Sequence, residues 1–183
     1  MAGTCDQSTG ECACDSWATG SDCSYLNFKP VDKAKLGYLD PTHTSWGGNA
    51  VKSLVDGKWH LYVAEIACSE ASSKTTRCGL SSWKTQSQVA HAVADHPAGP
   101  YVRQGRILPT EHHNPTVQIS PVDGKSWNLY SISDWDGPIV VVTSTDQGQS
   151  WSSSGGASEQ TVLPYNNPGP VLNTDGSMVM YVR

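Results

Sequence analysis

The sequence has few charged residues, no basic cluster and no long hydrophobic run. Asp, Glu, Lys and Arg make up 16% of its 183 residues, and the net charge is -5. A nucleic-acid surface is not expected, because phosphate neutralisation needs a concentrated patch of Lys and Arg. No apolar run approaches the roughly 20 residues of a membrane-spanning helix, so no membrane insertion is expected. No segment keeps a period of about 3.6 residues, and no helix is predicted.

Phenylalanine is almost absent, and seven Trp and seven Tyr supply the aromatic rings instead. Indole and phenol rings present a flat apolar face beside a hydrogen-bonding edge, which suits sugar binding. Packing of the rings between sheets is the alternative, and it would account for most of them. The composition therefore favours a polar, uncharged partner such as a polysaccharide or another glycan.

A motif occurs three times along the chain. Each copy has an Asn, a strand, an Asp-Gly turn of the kind that closes a β-hairpin, and a second strand. The leading residues of the copies are Asn49, Asn114 and Asn167, which lie 65 and 53 residues apart. This spacing is typical of the four-stranded blades of a β-propeller.

The third copy stops at Arg183, just after its second strand. The sequence therefore predicts an all-β fragment of a longer protein, with about two and a half blades of a propeller ring. We expect blades at 44–108, 109–163 and 164–183, the last incomplete, after a linker or feeding strand at 27–43. The predicted strands are 49–55, 59–66, 87–94 and 101–108 in the first blade and 115–119, 127–133, 139–144 and 159–163 in the second.

Two of the six cysteines, Cys68 and Cys78, flank a polar stretch inside the first blade. A disulfide between them is predicted, and closing such a loop restricts the unfolded chain by roughly 3 kcal/mol. The even number of cysteines and the absence of a Cys-x-x-Cys redox motif indicate an oxidising compartment, so an extracellular, secreted protein is expected. For the four remaining cysteines a metal site is the alternative, but one Cys-x-Cys without a matching pair is weak for zinc.

The N-terminal cysteines resemble the second half of an EGF-like module. They are Cys5, Cys12, Cys14 and Cys23, and the last three show the module's ending of Cys-x-Cys, eight residues and Cys. The resemblance covers residues 1–26 and implies a disulfide between Cys14 and Cys23. It places the expected partners of Cys5 and Cys12 upstream of Met1, so in this chain those two either pair with each other or stay free.

A turn in the second blade fits the Asp-box pattern of sialidase-type propellers, Ser-x-Asp-x-Gly-x-x-Trp. It runs from Ser144 through Asp146 and Gly148 to Trp151. The Asp is expected to cap the turn, the Gly to adopt a positive φ, and the Trp to fill the space beneath. This turn favours a propeller over a sandwich and says little about activity.

From Trp46 to Arg183 the sequence resembles the five-bladed propellers of the glycoside hydrolase family 43 clan, which includes arabinanases, levansucrases and invertases. The resemblance implies a secreted carbohydrate-active protein that acts on glycosidic bonds of plant- or algal-type polysaccharides. A non-catalytic propeller that binds glycans or matrix is the alternative. The segments that carry the resemblance are 45–48, 59–66, 78–83, 113–115 and 167–183.

The family's catalytic pattern is incomplete in this sequence. Members use an Asp at the start of an innermost strand as general base, a second Asp to orient it, and a Glu as general acid. Inversion needs two carboxyl groups roughly 6.5–9.5 Å apart. At the three strand starts the sequence has Asn49, Asn114 and Asn167, and an amide cannot accept a proton from water at neutral pH.

Other carboxylates could serve in catalysis. Glu65 is the candidate general acid, because an apolar strand around it would raise its pKa. A carboxylate satisfied by a loop amide, or facing solvent, is the alternative for this residue. Asp134 is the second candidate, and Glu111 and Asp136 could also approach the same end of the blades.

Trp46, Asn49, His113 and Asn114 are the predicted substrate-binding residues, at the mouth of the axial channel. Hydrogen bonding between blades is the other role left open for His113 and Asn114. His112 and His113 should point in opposite directions along a strand, so a shared metal ion is not expected. No cofactor and no catalytic metal are predicted, and a structural divalent ion is left open.

Overall fold

The computed structural model shows a chain that is mostly β, with one short helix. It divides into two compact units, Met1–Lys33 and Ala34–Arg183. Within the described residues, no helix has the length and apolar character needed to cross a bilayer. The structure describes residues 2–28, 30–67, 79–134, 137–152 and 159–183.

The first unit is built from two small hairpins and two disulfides. Its paired strands are β1 (Gly3–Cys5) with β2 (Cys12–Cys14), and β3 (Ala18–Thr19) with β4 (Tyr25–Leu26). One disulfide joins Cys14 to Cys23, the pair that the resemblance implies. The other joins Cys5 to Cys12, so of the two states left open for these residues the structure has the paired one. The predicted pair of Cys68 and Cys78 lies outside the described residues.

The second unit contains three antiparallel sheets in chain order. The innermost strands of neighbouring sheets contact each other: the strand at His43–Lys52 contacts the strand at His113–Ile119, which in turn contacts the strand at Gly169–Leu172. The first sheet consists of β5 (His43–Lys52), β6 (Trp59–Ala67), β7 (Ser87–Ala94) and β8 (Val102–Leu108). The second consists of β9 (His113–Ile119), β10 (Trp127–Ile132), β11 (Ile139–Ser144) and β12 (Gln160–Leu163). The third is the hairpin of β13 (Gly169–Leu172) and β14 (Met178–Tyr181).

Two predictions about secondary structure are wrong. A four-residue helix, α1 (Trp83–Gln86), follows a 3-10 turn at Leu80–Ser82, although no helix was expected. One helical turn is too short to show a repeating apolar period, so the sequence pattern gives no sign of it. The first innermost strand, β5, spans His43–Lys52 rather than the predicted residues 49–55.

The main core lies between the first and second sheets. Alternate residues of β6 face the second sheet, and Tyr62 packs edge-on against Trp127 and Trp151. Each large side chain buried in this way contributes about 1.5–3 kcal/mol. The core residues are Tyr62, Val89, Leu108, Val117, Trp127, Leu129, Val142 and Trp151.

The Asp-box turn has the predicted geometry. Asp146 accepts hydrogen bonds from the Ser144 hydroxyl at 2.7 Å and from the Ser150 backbone N–H at 2.8 Å. Gly148 has a φ of 87°, and a Cβ there would lie 2.4 Å from the Tyr62 hydroxyl. Trp151 is buried in the core beneath the turn. The turn therefore fastens the end of β11 onto the interface between the two sheets.

The strand register corrects the alignment of the three repeats. Tyr62, Tyr130 and Tyr181 occupy the same place in each copy, and they pair with Asn49, Thr116 and Gly169. Asn49 is therefore the counterpart of Thr116 and not of Asn114. The residues two positions earlier are Gly47, Asn114 and Asn167, with φ values of 61°, 48° and 56°.

Candidate functional site

A cavity of about 440 Å³ lies at the starts of the innermost strands. Two indole rings line it, those of Trp46 in β5 and Trp83 in α1, together with the aliphatic side chains of Leu80 and Ile132. Trp46 is half exposed. The cavity thus offers flat aromatic surface that solvent reaches.

Besides His113, the polar residues of the cavity lining are three asparagines and one arginine. Asn114, Asn166, Asn167 and Arg183 contribute to the lining. The Asn114 amide nitrogen donates to the Asn167 side-chain oxygen at 2.5 Å, which joins the second sheet to the chain entering the third. The Arg183 backbone N–H donates to the Asn166 carbonyl at 3.0 Å. These contacts hold the amides and Arg183 at one side of the cavity.

His113 is a buried and uncharged member of the same lining. Its Nδ1 lies 2.7 Å from the hydroxyl of Ser87 on β7. Its ring lies 4.8 Å from the Trp83 ring, centroid to centroid. Burial lowers the pKa of His113 to about 4, so the imidazole is neutral at neutral pH and can exchange hydrogen bonds without bringing a charge.

His112 has different surroundings from His113. Its Nδ1 lies 3.1 Å from the Pro109 carbonyl oxygen, and its Nε2 lies 3.0 Å from a carboxylate oxygen of Glu159. The two rings therefore contact separate groups.

Three of the four predicted substrate-binding residues line the cavity, namely Trp46, His113 and Asn114. Asn49 is not among the lining residues. Its side-chain nitrogen donates to the Val117 carbonyl at 2.9 Å, and its oxygen accepts from the Val117 N–H at 2.8 Å. The amide of Asn49 bridges β5 and β9, and its hydrogen-bonding groups serve that contact.

The prediction that the pKa of Glu65 is raised is wrong. The side chain is fully buried, as predicted, but Arg103 donates to its two oxygens from Nε and Nη2, each at 2.9 Å. Tyr38 donates from its hydroxyl and Gln88 from its amide. Burial alone would raise the pKa of Glu65, but these donors outweigh burial and lower it. Glu65 is therefore ionised at neutral pH, unlike a general acid.

Glu65 also faces away from the core interface. Tyr62 on the same strand packs against the second sheet, and residues three apart in a strand point to opposite faces. Glu65 does not line the cavity. Asp134 is exposed in the turn after β10, with a φ of 50°, and is likewise absent from the lining. Glu111 is exposed, and Asp136 lies outside the described residues.

Among the described residues, one group has metal-ligating atoms close together: Asp40, His43 and Glu65, within 4.8 Å of one another. All three residues already form hydrogen bonds within the protein. Asp40 accepts a hydrogen bond from the Thr42 hydroxyl at 2.6 Å and lies 3.0 Å from His43 Nδ1, and these contacts lower the pKa of Asp40. The Arg103 guanidinium beside Glu65 supplies a positive charge already. The donor set therefore fits an internal ion-pair network better than a cation site.

No protein-family profile and no curated protein sequence matches the chain. Among solved structures, the chain is similar to a GH43 β-xylosidase/α-arabinofuranosidase from a compost microbial metagenome, solved in complex with xylotriose in a calcium-free form. That match has 12% identity and a TM-score of 0.53, and it covers 80% of this chain and 44% of the other. A family 117 glycoside hydrolase from the marine bacterium Zobellia galactanivorans gives 13% identity and a TM-score of 0.53, covering 81% and 52%.

The chain thus spans about half the length of these two structures. At such low identity the similarity is one of fold, and both neighbours are glycoside hydrolases of propeller type. This similarity of fold agrees with the order of the strands in the sheets and with the Asp-box turn.

Sequence reasoning missed several residues of the cavity as site residues. Trp83 and Leu80 lie on the short helix and its preceding turn, which the sequence pattern does not predict. Asn166 and Arg183 lie on opposite sides of the third hairpin, and their contact depends on its closure. The available signal was the presence of Trp83 and Arg183 inside segments that resemble the family 43 clan.

Proposed function

We propose that the chain belongs to a secreted carbohydrate-active protein and that its cavity binds a polysaccharide. The observation that supports this function best is that the half-exposed indole of Trp46 and the partly buried indole of Trp83 line one cavity together with Asn114 and Asn167. Sugar rings pack against indole faces, and amides exchange hydrogen bonds with hydroxyl groups. The fold that the chain shares with two glycoside hydrolases supports the same class of ligand.

Binding without hydrolysis is the function that fits the described residues. Inverting hydrolysis needs two carboxyl groups roughly 6.5–9.5 Å apart, and among the described lining residues none is Asp or Glu. Hydrolysis of O-glycosyl bonds is the second candidate, favoured by the fold of the neighbours. It would require carboxylates other than Glu65, whose oxygens are bound by Arg103.

The architecture and location belong to the same proposal. The three sheets would be blades of a five-bladed propeller, and the first unit would be the remnant of an EGF-like module. The two disulfides of that unit are compatible with an oxidising compartment and hence with secretion. Plant- or algal-type polysaccharides are the proposed ligands.

The proposal is tested by calorimetric titration with xylo-, arabino- and agaro-oligosaccharides. Trp46→Ala should weaken binding roughly tenfold, equivalent to about 1.4 kcal/mol of lost contact. Trp17→Ala is the matched control, because Trp17 is exposed to a similar degree, 55% against 51%, and does not line the cavity. If the protein binds no oligosaccharide of the panel, or if both variants bind like the wild type, the proposal is wrong. Release of reducing sugar would establish the second candidate instead.

A further inference from the structure

Ser87 connects three parts of the cavity wall. It is the first residue of β7 and is fully buried. Its backbone N–H donates to the carbonyl of Trp83 in α1, and its carbonyl accepts from the His112 N–H at 3.1 Å. Its hydroxyl lies 2.7 Å from His113 Nδ1. The backbone of Ser87 therefore holds α1 in place, and its hydroxyl contacts the imidazole that packs against the Trp83 ring.

The hydroxyl of Ser87 decides which nitrogen of His113 carries the hydrogen. Burial lowers the pKa of His113 to about 4, so at neutral pH the ring has one N–H donor and one acceptor nitrogen. Within the described part of the chain, Nδ1 is the hydrogen-bond partner that the hydroxyl has. If Nδ1 carried the hydrogen, the hydroxyl hydrogen would be buried without an acceptor, which is unfavourable. The hydroxyl therefore donates to Nδ1, and the ring hydrogen lies on Nε2.

The Nε2 atom of His113 is available to a ligand. His113 lines the cavity, and none of the residues that the structure describes forms a hydrogen bond with Nε2. Nε2 is also not one of the fully buried side-chain atoms that lack a partner in that part of the chain, so solvent reaches it. The Trp83 ring lies 4.8 Å away at an angle of 31° and supports the plane of the imidazole. The ring thus offers the cavity an N–H donor in a fixed orientation.

We propose that Ser87 is a positioning residue, which holds the imidazole of His113 in the tautomer whose Nε2–H donates to an oxygen of a sugar bound in the cavity. This inference rests on the proposed glycan-binding function and identifies one donor of that site. A protonated Nε2 can donate to a hydroxyl, ring or glycosidic oxygen, but it cannot accept a hydrogen bond. The side-chain amides of the lining can do both. His113 therefore requires an acceptor oxygen of the sugar at one place in the cavity.

The tautomer is measured first, on the whole chain with isotope-labelled histidine at neutral pH. Long-range proton–nitrogen NMR spectra distinguish a protonated ring nitrogen from an unprotonated one, and the signals lost in His113→Gln assign the ring. We expect an unprotonated Nδ1 and a protonated Nε2. A protonated Nδ1 overturns the inference before any sugar is added. The measurement on the wild type does not depend on the affinity for any ligand.

Two serine variants test the role of the hydroxyl. Ser87→Ala keeps the backbone contacts, so His113 should show both tautomers. The tightest-binding member of the xylo-, arabino- and agaro-oligosaccharide panel should bind about twofold more weakly or worse, since only the fraction with a protonated Nε2 can donate. Ser131→Ala is the matched control, because Ser131 is equally buried on β10 and does not line the cavity. Its hydroxyl has no partner among the described residues, so this variant should change neither the tautomer nor the affinity.

Two variants at position 113 test the donor itself. The amide nitrogen of Gln can reach the place of Nε2, whereas that of the shorter Asn ends near the place of Nδ1. His113→Asn should weaken binding about fivefold, the loss of one hydrogen bond, and His113→Gln should retain part of the affinity. Wild-type affinity in His113→Asn, or an unchanged tautomer or affinity in Ser87→Ala, overturns the inference. Oligosaccharide binding in that case leaves the proposed function standing, whereas a protein that binds no member of the panel loses both.

Discussion

Replacing Arg103 with alanine should destabilise the second unit by about 3 kcal/mol. Glu65 is fully buried, with 0% of its side chain exposed, whereas 32% of Arg103 is exposed. Removing one partner of a buried ion pair typically costs about 3–5 kcal/mol, because the other charge stays buried without compensation. The partial exposure of Arg103 places the loss at the lower end of that range. Tyr38 and Gln88 would still donate to Glu65, but they carry no charge.

The pH dependence of this loss has a definite sign. In the wild type the folded pKa of Glu65 lies below the ordinary value of 4.5, so the pair stabilises the protein above that pH. This contribution is lost as the pH falls through the lower folded pKa. In Arg103→Ala, burial would instead raise the pKa of Glu65, and protonation would relieve the penalty. The difference in the free energy of unfolding between Arg103→Ala and the wild type should therefore shrink as the pH falls from about 7 to about 4.5.

Urea unfolding followed by tryptophan fluorescence at these two pH values is the assay. Arg106→Ala is the control, because Arg106 is exposed on the same strand and should change stability by less than about 0.5 kcal/mol. The double variant Arg103→Ala, Glu65→Gln should be less destabilised at neutral pH than Arg103→Ala alone, since no charge remains buried. A loss below about 1 kcal/mol, or an equal loss at both pH values, would refute the reasoning.

Two further predictions concern the backbone and the buried histidines. Gly48→Ala should prevent stable folding, because Gly48 has a φ of 106° and a Cβ there would lie 2.1 Å from the Tyr62 carbonyl oxygen. Gly57→Ala is the control: Gly57 has a φ of 73°, but a Cβ there would have no atom within 4 Å, so this variant should lower the melting temperature only modestly. Burial lowers the pKa of His91 and of His113 to about 4. The unfolded chain therefore binds more protons than the folded protein, and stability should fall as the pH drops from about 6.5 to about 4. In thermal melts the melting temperature of His113→Gln should fall less steeply over this pH range than that of the wild type, and an equal dependence on pH would contradict the prediction.

Local signals were enough to predict most of the strands, with β5 as the exception. β7 and β11 lie at the predicted residues 87–94 and 139–144, and β6 extends one residue beyond its prediction. The hairpins of the three repeats are closed by Asp-Gly turns, whose geometry depends on residues within the turn. The Asp-box turn was predictable for the same reason, since Asp146, Gly148 and Trp151 act over seven or fewer residues of sequence.

The environment of individual side chains was harder to predict, because it depends on distant partners. The sequence around Glu65 is apolar, which correctly indicates burial. Burial raises the pKa of Glu65, but its hydrogen-bond donors lower it overall. The strongest of these donors, Arg103, lies 38 residues later and comes close to Glu65 only when β8 pairs with β7. Likewise the cavity acquires Trp83 through a single helical turn and acquires Arg183 through closure of the third hairpin.

The repeated asparagines have a conformational explanation that does not involve catalysis. Asn114 and Asn167 occupy the same place in their sheets and adopt left-handed backbone angles, φ 48° and 56°, and Gly47 fills that place in the first sheet at 61°. Glycine and asparagine are among the residues that accept this conformation most readily. Asn49, two positions later, needs both a donor and an acceptor to bridge Val117, and an ionised Asp would offer no donor. The backbone conformation at Asn114 and Asn167 and the bridge between sheets at Asn49 therefore account for an asparagine at these positions, and its presence alone does not mark the loss of a catalytic base.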